Sequence, residues 1–163
     1  MKVKRKQRNS KMCFICGLDN PYGVKAQFYV MEDNSVVTLF KFKKEHQSYP
    51  ERVHGGIITA MLDELGLRAF WIDKDDELGV TMTLETKYRK PIPYDVILKG
   101  RAKVIMSNSK FIKSEAEILD MNGNVLANAT IKYLRMENNQ VTENADMHEE
   151  MCYLIEDDIK EIS

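Results

Sequence analysis

The chain has 163 residues, close to the usual size of one domain, so the sequence predicts one core with short appendages at its ends. Its 24 Lys and Arg residues against 25 Asp and Glu residues give a net charge of −1, which excludes a whole-chain case for binding nucleic acid or an anionic membrane. No apolar run approaches the roughly 20 residues that span a bilayer, and none follows the basic start as in a secretory signal. Three cysteines give no disulfide framework, so we expect a cytoplasmic protein.

The chain begins with a basic segment and a predicted hairpin. Residues 1–12 carry six Lys and Arg residues and no acid, which predicts a solvated basic arm. Residues 27–32 and 35–43 are rich in β-branched and aromatic residues, and Asp33-Asn34 separates them. This pattern predicts two antiparallel strands joined by a tight turn.

The middle of the chain predicts one buried helix followed by four long strands. Residues 57–72 are apolar nearly all the way round, as is typical of a helix in a core. Alternating stretches follow at 78–90, 95–106, 110–121 and 125–136, the last after the hairpin signal Asn122-Gly123. Long strands in one sheet must twist and curl, so we expect an α+β fold over residues 13–136, in which a curved antiparallel sheet wraps around one long central helix.

The end of the chain is acidic. Residues 137–163 carry nine acidic residues and only one Lys. Their apolar residues recur at helical spacing and predict an amphipathic helix: Met147, Met151, Leu154, Ile155, Ile159 and Ile162. We expect this helix to dock on its own domain or its oligomer, with binding of a foreign partner as the alternative.

The triplet His54-Gly55-Gly56 stands directly before the predicted helix. Glycines at a helix start allow a ligand or another backbone to approach, and the free N–H groups there suit a developing negative charge. The triplet therefore predicts an oxyanion hole, or else only a tight approach of the chain to the helix.

Two adjacent acids lie within the apolar helix. Glu64 has Arg68 four residues on, so an intrahelical ion pair accounts for it. Asp63 has no charged neighbour at three or four residues in either direction, and an unpaired acid in a buried helix is costly unless it is used. Asp63 is therefore the better candidate for a functional carboxylate.

The stretch HGGIITAMLDELG, followed by GVTMTLETKYRKPIP, resembles the hotdog-fold acyl-CoA thioesterases of the PaaI-like, phenylacetate-pathway type. CFICGLDNPYGV near the start is similar to the N-terminal edge of one branch of that superfamily. The resemblance implies that Asp63 is the catalytic acid, that Gly55 and Gly56 supply oxyanion amides and that His54 orients the loop. Thr81 falls where some members position water or the acid, and strand alternation lets it reach the site only if a β-bulge redirects it.

The expected substrate contacts are Gln47, Ser48, Glu64, Arg89 and Lys90. Some members of the resembled family carry an Asn six residues before the His, and here that position is Ser48, beside Gln47. The basic residues at the end of the third predicted strand suit the phosphates of a CoA nucleotide, with a solvated face as the alternative reading.

A C-x-x-C motif at Cys13 and Cys16 has no second ligand pair, because Cys152 is the one further cysteine. We assign it no metal, and no βαβ context supports a redox pair, so the two residues are expected to close a strand edge. The function expected from the resemblance needs no metal or organic cofactor.

These observations lead us to expect an enzyme that hydrolyses acyl-CoA or a related thioester. At 1.5 Å per residue, His54 and Asp63 lie about 13 Å apart along the helix and half a turn apart around it. One chain cannot easily aim both at one carbon, so we expect a homodimer with composite sites, or a tetramer of such dimers. The alternative is an acyl-CoA-binding hotdog protein without catalysis, and a hydratase is disfavoured because no suitable Asp/His dyad is present.

Overall fold

The computed structural model describes all 163 residues and contains one seven-stranded antiparallel sheet packed around one long helix. The strands are β1 (Val3–Lys6), β2 (Tyr29–Met31), β3 (Val36–Phe40), β4 (Leu78–Tyr88), β5 (Leu98–Ser107), β6 (Phe111–Leu119) and β7 (Val125–Met136). The long helix is α1 (Gly55–Arg68), and two helices of four residues follow β7, α2 (Asn138–Val141) and α3 (Met147–Glu150). No helix has the length and apolar character needed to cross a membrane.

The predicted wrap of a sheet around one helix is confirmed. The strand order is β1-β2-β3-β5-β6-β7-β4, which leaves β1 and β4 at the two edges. Helix α1 contacts the four strands β4 to β7, and its core side chains are buried: Ile58, Met61, Leu62 and Leu65. The chain after Arg68 continues in a tighter turn with bonds from Phe70 N to Leu67 O and from Trp71 N to Arg68 O, so the helix ends four residues before the predicted bound.

The two predicted hairpins also form. Strands β2 and β3 are shorter than expected, and Asn34 adopts a positive φ of 60° in the turn between them. The turn before β7 contains Gly123 at a φ of 85°, a conformation that favours glycine, and β7 has the predicted bounds.

The basic arm is not simply solvated, because four of its twelve residues form an edge strand of the sheet. Strand β1 pairs antiparallel with β2, and Gln7, Asn9 and Ser10 are buried after it. Gln7 donates from its side-chain amide to the backbone oxygens of Arg68 and Trp71, at 3.0 and 2.8 Å. The basic side chains of β1 form ion pairs with acids at the surface, so the backbone of the strand pairs in the sheet while its charged groups stay in contact with water.

The predicted amphipathic helix in the tail is also wrong. Beyond α3 the chain runs extended along the free edge of β1, with bonds from Val3 N to Lys160 O and from Ile162 N to Met1 O. A helix would leave the polar groups of that edge uncovered, whereas an extended segment pairs with them. The opposite charges of the two ends meet here, since Lys6 forms an ion pair with Asp157.

Candidate functional site

The start of α1 is capped by His54. The Nδ1 atom of His54 accepts a hydrogen bond of 2.9 Å from Gly56 N–H, and the His54 carbonyl accepts from the amides of Ile57 and Ile58. Gly55 N–H has no acceptor in the chain. The structure therefore separates the two predicted oxyanion donors, because one amide is occupied by the cap and the other is free.

A group of hydroxyls that the sequence analysis missed ties this helix start to β4. Tyr88 Oη donates to Gly55 O at 2.9 Å and lies 2.6 Å from Thr59 Oγ1, which also bonds Thr86 Oγ1 at 3.1 Å. Thr59 lies one turn after Gly55 on α1, whereas Thr86 and Tyr88 come from β4. Thr86 and Tyr88 are two residues apart, so the sequence alone indicates that they share one face of β4. It does not indicate whether that face meets the helix.

A groove of about 340 Å³ lies beside the helix start. It brings together four predicted residues, Ser48, Gly55, Arg89 and Lys90. Its other walls are a basic side chain, two exposed tyrosines and apolar residues: Arg52, Tyr49, Tyr88, Val53, Ile58, Pro91 and Ile92. The groove thus joins an apolar floor to positive charge at the rim.

Gln47 and Glu64 do not line this groove. Gln47 is exposed and forms an isolated backbone bridge with Val53. Glu64 Oε1 instead accepts a hydrogen bond of 2.8 Å from Arg68 Nε, as the spacing of four residues predicted.

Asp63 lies where the middle of α1 meets β4. Its two carboxylate oxygens are 2.8 and 3.0 Å from Thr81 Oγ1, and its backbone carbonyl accepts a bond of 2.7 Å from Tyr133 Oη. Gly66 makes the last contact possible, because a Cβ at that position would lie 2.4 Å from the Tyr133 oxygen. Thr81 of β4 therefore fixes the position of the carboxylate, and Tyr133 of β7 fixes the backbone of the helix turn that carries it.

Thr81 reaches Asp63 because β4 contains a β-bulge. The pairing of β4 with β7 shifts between Thr81 and Thr83, so Met82 is the extra residue. After the bulge the even-numbered residues Thr86 and Tyr88 contact α1, whereas before it the odd-numbered Thr81 does so. The bulge supplies the redirection that strand alternation required.

The surroundings of Asp63 favour its neutral form. Burial raises the pKa of this carboxyl above its ordinary value, and the negative charge of Glu64 raises it further, while the Thr81 hydrogen bond opposes the change. An acid with a raised pKa beside a strand edge is suited to take up and release a proton during a reaction.

One group of side chains could hold a metal ion. It consists of Cys13, Cys16 and Glu64, whose ligand atoms lie within 4.8 Å of one another. Only the two cysteines are evident as a pair in the sequence, because Glu64 is 51 residues from Cys13 and the fold alone brings it there. This cluster lies on the Arg68 side of α1, apart from the groove.

A model of the thioesterase superfamily matches residues 51–127, which include the helix start, Asp63 and β4 to β6. The matched segment is therefore similar to the thioesterase superfamily over 77 of the 163 residues of the chain. The sheet packed on α1 is accordingly the hotdog fold that the resemblance implied. The search of curated proteins gives no match for the chain.

Solved structures show the same fold in thioesterase-superfamily proteins. The chain is 23% identical to a thioesterase superfamily protein, RHA08564, with a TM-score of 0.69, over 76% of this chain and 63% of that one. It spans less than two thirds of that relative. A putative thioesterase related to phenylacetic acid degradation, from Ralstonia eutropha, is 18% identical, with a TM-score of 0.60 over 68% of this chain and 85% of its own. The BH2602 protein from Bacillus halodurans, solved with CoA, is 21% identical, with a TM-score of 0.58 over 68% and 74%.

Proposed function

We propose that this protein is an acyl-CoA thioesterase of the PaaI-like type and that Asp63 is its catalytic carboxylate. The observation that carries the proposal is the position of Asp63, which is a half-buried acid held by Thr81 inside the superfamily segment. Its raised pKa and its lack of a cationic partner fit a group that takes up a proton during each turnover.

The chemistry divides between the start of α1, at Gly55, and its middle, at Asp63. Ionised Asp63 acts either as a base, so that the water it deprotonates attacks the thioester carbonyl carbon, or as the nucleophile that attacks this carbon itself. The carbonyl oxygen becomes an oxyanion, for which the free Gly55 N–H at the positive end of the helix is the donor. Collapse breaks the bond from carbon to sulfur. In the base route the leaving CoA thiolate takes the proton that Asp63 removed from water. In the nucleophile route it takes a proton from solvent, and water then hydrolyses the mixed anhydride on Asp63.

The groove beside Gly55 is suited to the CoA portion of the substrate. Arg52, Arg89 and Lys90 offer positive charge to phosphates, and the exposed rings of Tyr49 and Tyr88 offer faces on which an adenine ring can stack. The relative from Bacillus halodurans holds CoA, and the one from Ralstonia eutropha is tied by name to phenylacetic acid degradation, so acyl-CoA esters with aromatic acyl groups are the first substrates to try.

The direct test is a panel of acyl-CoA esters, with short, long and aromatic acyl groups, assayed by thiol release. We expect at least one ester to be hydrolysed with release of free CoA, and the Asp73→Asn protein, altered at an exposed acid, to match the wild type. Tight binding of acyl-CoA without release of thiol across the panel would contradict the proposal and favour the binding-protein alternative.

A homodimer formed through β4 is part of the proposal. Strand β4 has 11 residues, lies at the sheet edge and carries no partner on its outer side, and Met82 at its bulge is exposed. Such an edge invites pairing with a second copy, and two-fold antiparallel pairing of β4 would run the two α1 helices in opposite directions. The Gly55 end of one helix would then approach the Asp63 region of the other.

Mixing two inactive variants tests this composite site. Gly55→Val fills the space at the free amide, and because its added Cβ meets the Tyr88 ring at 3.4 Å, we expect the chain still to fold. After subunit exchange with Asp63→Asn, a heterodimer has one site with neither change, so we expect recovery of up to about a quarter of the wild-type activity.

Exchange is verified by mass spectrometry of the mixed dimers, and Gly55→Ala reports whether the position tolerates a side chain. Mixed dimers without recovered activity would mean that each site is built within one chain.

A further inference from the structure

We propose that Cys13 and Cys16 form a reversible dithiol–disulfide site in which Cys13 is the nucleophilic thiol and Cys16 the resolving thiol. The oxidising partner is a disulfide, either a small molecule such as glutathione disulfide or a protein disulfide. This site is separate from the proposed hydrolase chemistry and does not rest on it.

The backbone holds the two cysteines in one helical turn. Gly17 N–H donates to Cys13 O at 2.8 Å, which closes a turn over residues 13–17 and brings side chains three residues apart onto one side. A Cβ on Gly17 would lie 2.4 Å from Cys13 O, so only glycine permits this closure. The two sulfur atoms lie within 4.8 Å of each other, a separation that side-chain rotation can close to a disulfide bond.

The two thiols have different surroundings. Cys13 is half-buried, and its sulfur accepts a bond of 3.4 Å from Ile15 N–H, whereas Cys16 is only 1% exposed and its sulfur lies 3.2 Å from Ser10 Oγ. A hydrogen bond from the Cys16 thiol lowers the pKa of Cys13, against the opposing effects of burial and of the Glu64 carboxylate, and the same bond together with burial raises the pKa of Cys16. Cys13 is thus the thiol that an external disulfide can reach, whereas Cys16 is enclosed, as in a nucleophile paired with a protected resolving thiol.

A disulfide suits this cluster better than a metal ion. The cluster offers three ligands, and its carboxylate already binds Arg68, a fully buried cation that would lie close to any bound ion. The nearest ring in sequence, His46, is held by Tyr22 O at 2.6 Å and by Lys43 N, so no imidazole completes a four-ligand site. Oxidation to a disulfide adds no charge beside the buried ion pair.

The reaction conserves atoms and electrons. The Cys13 thiolate attacks one sulfur of the oxidant, forms a mixed disulfide and expels the first thiolate. Cys16 then loses its proton to that thiolate and attacks the Cys13 sulfur, which expels the second thiolate, and this thiolate takes up the proton that Cys13 lost at the start. Two cysteine thiols are oxidised by two electrons, and one external disulfide is reduced to two thiols.

The test uses the full chain with Cys152→Ser, because Cys152 is exposed and would react by itself. After treatment with glutathione disulfide, we expect the mass to fall by that of two hydrogen atoms, both thiols to become unreactive toward iodoacetamide, and a thiol reductant to restore them. In the further variant Cys16→Ser, glutathione should remain attached to Cys13. In Cys13→Ser, Cys16 should be alkylated more than about tenfold more slowly than Cys13 in the converse variant.

Three results would overturn the proposal. Stable attachment of glutathione to Cys16 in the Cys13→Ser protein would reverse the assignment. Retention of two free thiols after treatment would show that the pair does not close. One equivalent of tightly bound zinc in the purified chain, released by thiol alkylation, would establish a metal site instead.

Discussion

The Asp63→Asn protein is expected to release CoA about 10²–10⁴ times more slowly than the wild type, the usual cost of losing a group that handles a proton in the transition state. Asparagine keeps the size of the side chain and can still meet Thr81, so the change removes charge and basicity and leaves the packing. The matched control is Asp73→Asn, whose side chain is 83% exposed and which should keep the wild-type rate. A wild-type rate for Asp63→Asn would remove this residue from the mechanism.

The pH dependence supplies a second readout for the same residue. Burial raises the pKa of Asp63, so kcat/KM should increase with pH as this carboxyl ionises. The midpoint of that increase should lie above about pH 4, where an ordinary aspartate titrates. For stability the sign is opposite. When the pKa of a carboxyl is higher in the folded state than in the unfolded state, it stabilises the fold at a pH below the unfolded-state pKa. This stabilisation is lost as the pH rises through the folded-state pKa. Near neutral pH, Asp63→Asn should therefore melt at or above the wild-type temperature.

The Glu64→Gln protein is expected to lose about 3–5 kcal/mol of unfolding free energy, because it leaves a buried guanidinium without its counter-charge. The Arg68 side chain is 0% exposed and that of Glu64 13% exposed, with 2.8 Å between Nε and Oε1. The guanidinium also lies 4.8 Å from the Phe28 ring centre and 4.4 Å from that of Trp71, so it cannot turn to water without disrupting the core. For a chain of this size the loss corresponds to a fall in Tm of roughly 6–20 °C.

Two controls separate this effect from a general loss of charge. Glu117→Gln breaks the exposed pair with Arg101, whose side chains are 24% and 50% exposed, and should cost at most about 1 kcal/mol. Replacing both partners, in Glu64→Gln with Arg68→Met, should recover most of the stability, since an apolar residue of similar length needs no counter-charge. The rate per folded Glu64→Gln molecule should fall far less than in Asp63→Asn. A larger fall would exchange the roles of the two acids.

Local sequence patterns determined the elements of the fold. The apolar helix, the turn at Asn122-Gly123 and the bounds of β7 follow from periodicity and from turn chemistry, which act over a few residues. The distinction between Asp63 and Glu64 also came from local spacing, because a partner four residues away on a helix is a neighbour in any fold.

Tertiary structure decided where those elements and side chains point. The bulge at Met82 turns Thr81 toward Asp63, the cap by His54 leaves Gly55 as the free amide, and the extended tail covers the edge of β1. Likewise, Glu64 joins Cys13 across 51 residues of sequence. Each of these depends on pairing or packing between segments that are distant in the chain. Sequence periodicity reports which face of a segment is apolar, but strand register and edge pairing are set by the free energy of the whole assembled sheet.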